Sequence, residues 1–451
     1  MLHRRRPSLA GLALVAGLLL PALPVRGPAG GEASADEPAP GTPGKPSIGA
    51  AGFELSLSGY GELGFAFHDF GADQSREGGA LDDRRLEFDT TRLVLELEAT
   101  LPVGFEVEAE VEFEHGGTGT AKEIEYDEFG EFETEVDKGG EVQVEEFYIE
   151  KELGRLELSL GRFYVAVGQL SYYYRPTDYL GTVRSEAETT VLPAQWDEMG
   201  AQLVANLPRM RLTAQVVNGL DSSGFSSQFW VASGHQGAFE TVRASDLAAV
   251  ARVDVDATPH LEVGASGYVG GSSRNRPKPD LTEDCANPHP DDVAPCDYVK
   301  GTVAIADLHG RWVGHGVRGQ VWGMWGHLTH AGAISARNDR LSNNLGVART
   351  PVADGALALA AEVGYDVAPL LGAGARHRIE PFARLDYVDT MFDVRDGLFD
   401  NPRFERTIIG LGATYTYGNA IVGKIDAAQR RFGSSELRPE TTVRATAGFV
   451  F

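Results

Sequence analysis

Five glutamates, Glu106, Glu108, Glu110, Glu112 and Glu114, occupy every second position of one short stretch, with Phe105, Val107, Ala109, Val111 and Phe113 between them. In an extended chain successive side chains point to opposite faces, so this stretch carries a row of carboxylates on one side and an apolar row on the other. Carboxylates in a row need water or cations beside them. The row is therefore the outer face of a soluble sheet or the wall of a wet lumen. The same parity rule sets Arg92 and Glu96 on a polar face. It does so again for Arg211, Arg252, Arg318, Arg378, Arg384, Lys424 and Arg444 in later stretches. Acidic groups gather early in the chain and basic ones late. Closing such stretches into one ring faces opposite charges across the lumen and orients charged or dipolar solutes. The plainer alternative is that these charges are solvated or paired, where each contributes little.

Other residues offer less chemistry. Tyr172, Tyr173, Tyr174 and Arg175 form a cluster in a long connection, residues 165–195, which is the first candidate to fold inward and narrow a pore. Residues 115–140, dense in Glu and Asp, are the second. An interfacial role for the tyrosines competes with solute contact, and the acidic connection fits a hydrated surface or weak divalent-cation binding. Cys285 and Cys296 are the two cysteines, both in one polar stretch, and suggest a local disulfide in an exported chain. Two reduced thiols are the alternative reading. His327 and His330 lack an acidic partner at a motif spacing, so no metal site is expected. A nucleophile elbow, phosphate loop or dinucleotide fingerprint does not occur, so neither catalysis nor a cofactor is expected.

The elements that must carry these residues are strands. Alternation runs through sixteen stretches between Phe53 and the terminal Phe451. In the last of them Val443, Ala445, Ala447, Phe449 and Phe451 oppose Thr442, Arg444, Thr446 and Gly448. Short connections at 102–104, 154, 208–209, 257–259, 314–315, 368–375 and 418–419 alternate with long ones at 69–85, 115–140, 165–195, 220–245, 271–299, 329–355, 391–403 and 431–438. Antiparallel hairpins with tight turns at one rim and long loops at the other produce this rhythm, and sandwiches with crossing connections do not. The expected fold is all-β, an up-and-down antiparallel transmembrane barrel of about sixteen strands over residues 51–451. Two residues resist the pattern. Arg162 shares parity with Leu156, Leu158 and Leu160, which requires a bulge or a place beyond the hydrocarbon band. Pro381 sits inside a strand, where it removes a ladder donor.

The chain carries 65 Asp+Glu against 40 Lys+Arg in 451 residues, a formal charge of -25, which disfavours nucleic acid as a partner. Arg4, Arg5 and Arg6 precede an uncharged Leu- and Ala-rich run. This reads as a signal peptide over 1–27, with small residues offering cleavage positions as far as 35; a retained anchor helix is the alternative. Residues 28–50, rich in Pro, Gly, Ala and Ser, are expected to be a disordered lead-in.

Gly161-Arg162-Phe163, Gly168-Gln169-Leu170, Tyr173 through Tyr179, Val191 through Gly200, Asn218-Gly219-Leu220-Asp221 and Pro381 through Thr390 resemble outer-membrane porins related to the phosphate-selective porin O/P group. Weaker similarity extends over most of 53–451. The resemblance implies a sixteen-stranded, water-filled channel in the bacterial outer membrane, surrounded by lipid and commonly trimeric. It implies passage of small hydrophilic solutes or ions. Phosphate selectivity in that group rests on a basic ladder in the lumen, from which the glutamate row departs. A general or mildly selective diffusion channel is the expectation. The rival is a binding or structural barrel with a plugged lumen and partner-binding acidic loops.

Overall fold

The computed structural model describes residues 46–70, 83–115, 141–169, 172–236, 242–275, 300–339 and 350–451. The expected signal peptide, most of the lead-in, residues 116–140 and the pair Cys285 and Cys296 lie outside the described residues.

The alternating stretches are strands. A short β1 (Ser47–Ala50) precedes β2 (Phe53–Phe70), β3 (Asp83–Thr100), β4 (Glu106–Glu114), β5 (Glu141–Leu153) and β6 (Leu156–Tyr164). Next come β7 (Asp197–Leu207), β8 (Met210–Asn218), β9 (Leu247–Thr258), β10 (Leu261–Gly271), β11 (Thr302–Gly314) and β12 (Val317–Leu328). The series ends with β13 (Gly355–Tyr365), β14 (His377–Asp393), β15 (Glu405–Tyr417), β16 (Ile421–Phe432) and β17 (Glu440–Val450). Two short helices lie in the connections, α1 (Glu186–Val191) and α2 (Ala331–Asn338).

Consecutive strands from β2 onward pair antiparallel. β17 returns to β2, with Val443 opposite Phe67 and Phe449 opposite Gly61, so β2 to β17 close as a sixteen-stranded barrel. Closure pairs each of β2 to β17 on both sides, the condition for crossing a bilayer with strands.

The expected lead-in is corrected at its end, because Ser47–Ala50 form a strand. β17 covers β2 only as far as Gly59, whose N–H donates to the Phe451 carbonyl at 3.1 Å. Below that point β1 takes over, with Ser47 opposite Ser56 and Ala50 opposite Phe53. Donors on β2 that would otherwise face an apolar surroundings unpaired are thereby filled.

The tight rim is built from residues that accept left-handed backbone. Gly418 and Asn419 have φ of 59° and 55° and make a two-residue turn between β15 and β16. His315 and Gly316, at 55° and 77°, do the same between β11 and β12. Along the walls the apolar parity faces outward, where Leu156, Leu158 and Leu160 on β6 and Leu411 and Ile425 on β15 and β16 are all exposed. These side chains give the barrel wall an apolar exterior.

Both awkward residues find a physical account. Pro381 stands opposite Ala413 of β15, but on its other side the β13 ladder has already ended at the Gly364–Phe382 pair. Its missing donor falls where β13 offers no partner. Arg162 is not reversed by a bulge, since it pairs in register with Phe147 and Met199. It lies near the loop-side end of β6, where its guanidinium bonds the fully buried Asp197 carboxylate and the loop residue His235 reaches the same carboxylate at 3.2 Å.

The inner face is not uniformly polar. Val250, Tyr268, Ile305, Trp322, Met324 and Ala358 on β9 to β13 point inward and are buried in one apolar cluster. Val165, Val191 and Leu192 from the 165–195 connection, Trp230 from the next long connection and Ile334 of α2 complete it. Part of the lumen wall along β9 to β13 thus packs a dry core.

Candidate functional site

The site is the lumen, and the 165–195 connection runs through it. Gly168, at φ 80°, turns the chain inward, and a Cβ there would meet the Glu188 carboxylate at 2.3 Å. Ser185 caps α1 by accepting from the Glu188 N–H and also donates to Asp386 at 2.8 Å. Apolar Val165, Ala166, Val167, Val191 and Leu192 anchor both ends of the connection in the dry core, which leaves its polar middle to meet the walls.

That middle is charged to match the side it faces. Arg175 donates to both Glu96 oxygens on β3 at 2.9 and 2.8 Å. The Arg92 guanidinium donates to the Glu62 carboxylate, to the Tyr174 carbonyl at 3.1 Å and to Gln195 at 3.2 Å. Arg92 thereby ties both limbs of the loop to the acidic wall. Further round the wall Glu186 of α1 accepts from Arg430 of β16 at 2.9 and 2.7 Å and from Arg406 of β15 at 3.1 Å. Thr182 donates to Asp426, Arg384 donates to the Val183 carbonyl, and Arg318 donates to the Thr177 carbonyl. The Tyr179 ring takes the Lys424 ammonium at 3.5 Å, while its hydroxyl donates to Glu62 at 2.9 Å.

The tyrosine cluster splits between walls. Tyr172 stacks under Arg252 at 4.2 Å, Tyr173 under Arg311 at 4.4 Å, and Tyr174 packs on Tyr164 at 5.3 Å. One cavity between the loop and β12 to β14, lined by Tyr173, Tyr179, Gln320, Glu362 and Arg384, leaves about 20 Å³ for water-sized occupants. That is room for about one water molecule.

The residues expected to line a pore all occupy inward register positions, but they divide by hydration. Arg92, Glu96, Glu110, Arg252, Arg318, Arg384 and Lys424 are buried under the loop or against each other. For these the expectation of a water-lined wall is corrected: the loop fills the middle of the lumen and replaces water as their partner. Glu106, Glu108 and Arg444 are half-buried and Arg211 is exposed. Glu106 and Glu108, with Glu98 and Glu150 beside them, line the wet vestibule toward the tight-turn rim.

Several working residues escaped sequence reasoning. A register shift between Glu110 and Val111 brings both Glu145 and Glu146 inside, where simple alternation admits one of them. Glu62, Tyr164, Glu186 and Arg430 carry loop contacts without any motif. The apolar inner face did leave a signal: Val303 and Ile305 on β11, and Ala356 and Ala358 on β13, stand at pore-side positions of strands already apolar outside. Burial of the Glu186 carboxyl would raise its pKa, but Arg430 and Arg406 outweigh that and hold it below the usual carboxylate range. At the loop-side rim burial disfavours a charged His235, yet the Asp197 carboxylate overrides this and raises its pKa to about 9.

No family model matches the chain. An uncharacterized protein of Aquifex aeolicus (strain VF5) is 24% identical over 220 residues, which are 48% of this chain and 44% of that protein, so the match spans less than half of the relative's length. Among solved structures, a loop L8 deletion mutant of OmpT, an outer membrane protein of Vibrio cholerae, superposes with a TM-score of 0.50 at 10% identity. It covers 89% of this chain and 100% of its own. OprB of Pseudomonas putida gives 0.50 at 12% identity, over 89% of this chain and 94% of its own. At such identities the likeness is one of fold. Together with the closed ladder and the apolar exterior, it makes this chain a sixteen-stranded antiparallel β-barrel of the fold those outer membrane proteins share.

Proposed function

We propose that the protein is a porin-like channel for passive diffusion of small hydrophilic or charged solutes, with its aperture set by residues 165–195. The observation that carries this reading is a polar loop crossing the lumen and bonded to walls on nearly opposite sides, Arg175 to Glu96 of β3 and the Thr177 carbonyl to Arg318 of β12. A barrel built for structure alone gains little by placing so many charges inside. The half-buried vestibule carboxylates Glu98, Glu106, Glu108 and Glu150 support a mild preference for cations. Phosphate selectivity, the finer implication of the resemblance to the O/P group, is not part of the proposal. A homotrimer is, and its mass in detergent tests it. No catalytic role is proposed. Single-channel recording from pure folded protein in planar bilayers tests the channel reading, and absence of ion conductance would refute it.

One observation favours a second reading, an outer-membrane barrel plugged by its own loop: contacts from 165–195 reach the acidic and basic walls, and the cavity between the loop and β12 to β14 is water-sized. Conductance that appears only after residues 172–182 are replaced by a short linker would favour that reading. Conductance already present in the intact chain favours the first.

A further inference from the structure

On the acidic wall the hydrogen bonds cannot be completed without extra protons. The Tyr164 hydroxyl lies 2.9 Å from Glu110 Oε1 and 2.7 Å from Glu145 Oε2, and it also accepts from Gln195 Nε2 at 3.1 Å. A phenol has one proton to give. It serves one carboxylate, and the second oxygen contact is attractive only if the other carboxyl brings its own proton. Glu145 is also engaged side chain to side chain by both Glu110 and Glu112, a contact between carboxyls that again needs a proton between them. Glu110 Oε2 and Glu112 Oε1 are buried without a hydrogen-bond partner.

A charge count around this cluster points the same way. The carboxyls are Glu62 on β2, Glu96 on β3, Glu110 and Glu112 on β4, and Glu145 and Glu146 on β5, all buried. The cations facing them are Arg92 of β3, Arg175 and Arg184 of the loop, and Lys424 of β16 beside Glu62. Six carboxyls against four cations leave two in excess. Asp197 of β7 adds to the negative side and is itself occupied by Arg162 and His235. The uncharged neighbours are the phenols Tyr60, Tyr164 and Tyr174. Beyond neutrality, each added charge in so dry a place is strongly disfavoured unless water enters, and water enters by displacing the loop. The loop residues standing in the way are Tyr174, packed on Tyr164 and Tyr60, and Gln195, bonded to Tyr164 and Glu145.

We propose that Glu110 and Glu145, bridged by Tyr164, form a proton-operated latch: protonated, they seat the loop across the lumen, and on ionising they hydrate the acidic wall and release it. The latch deepens the channel reading and rests on it for its consequence, a conductance that rises with pH. Its structural half stands separately. For each proton lost on release, the ratio of seated to released loop falls tenfold per pH unit.

The test uses the folded barrel in detergent micelles. Amide hydrogen exchange of residues 172–182 is followed from pH 5 to 9, with times scaled for the intrinsic pH dependence, beside bilayer conductance at the same pH values. Wild-type protection is expected to fall at least tenfold across that range. The double variant Glu110→Gln with Glu145→Gln keeps its hydrogen-bonding groups but cannot ionise, and should hold the loop protected to pH 9. Tyr164→Phe, a milder change, should move release to lower pH. Protection that is flat with pH in the wild type, or a double variant that releases as the wild type does, overturns the latch. Loop release without any conductance supports the latch and refutes the channel. Conductance that rises with pH while the loop stays protected refutes the latch and supports the channel.

Discussion

Glu186→Gln isolates the loop's hold on the basic wall. The side chain keeps its size and loses only its charge, while Arg430 and Arg406 lose the carboxylate they share at 2.7 and 3.1 Å. The side chains of Arg406, Arg430 and Glu186 are 13%, 22% and 21% exposed, so the site is mostly but not wholly dry. Removing one partner of a fully buried pair costs about 3–5 kcal/mol. Arg430 retains Glu440, and partial solvent access screens the rest, which brings the expected cost to about 2–3 kcal/mol. At roughly tenfold per 1.4 kcal/mol, the released fraction of the loop should rise about 30- to 150-fold. Open-state occupancy in single-channel records and hydrogen exchange of residues 180–192 read this directly. Acid should not mimic the variant above about pH 5. A carboxyl whose folded pKa is depressed contributes above its unfolded value and loses that contribution only as pH falls through the lowered folded value. Occupancy and exchange in Glu186→Gln indistinguishable from the wild type would refute the claim that ion pairs seat the loop.

Three further outcomes follow from the same geometry. Glu106→Gln with Glu108→Gln should move the reversal potential in a salt gradient toward anions, because this vestibule pair is half-buried and lies outside the part of the lumen that the loop fills. Trp230→Ala opens a hole against Gly326, where the indole lies 2.1 Å from the position a Cβ would take, and should cost about 3–5 kcal/mol, read as a lower thermal unfolding midpoint in detergent. The His235 clamp contributes fully below the unfolded imidazole pKa and fades as pH rises through about 9, so exchange in residues 219–236 should accelerate over that interval in the wild type. In His235→Gln it should be fast already at neutral pH.

The barrel was legible in the sequence because a strand's alternation is local. Phe105 to Glu114 separate a lipid-facing row from an inward row without reference to any other part of the chain, and the alternation of tight and long connections orders the hairpins. Sixteen strands and the inward registers of Arg92, Glu110, Arg384 and Lys424 follow from parity. Parity is silent on what lies opposite a side chain across the lumen, and that decides the site. Lys424 meets the carbonyl of Tyr179, 245 residues earlier, and Arg384 meets that of Val183, 201 residues earlier. Whether a charge there is wet, ion-paired or holding a proton depends on which loop fills the space, and the loop's path is set by Val165, Val191 and Leu192 burying in the same apolar cluster as Trp322 and Met324. The bulge that brings Glu145 inside with Glu146 likewise depends on the register between β4 and β5 rather than on either strand alone. Covalent order and a two-residue period thus determined the walls, while burial between residues distant in the chain decided what the walls enclose.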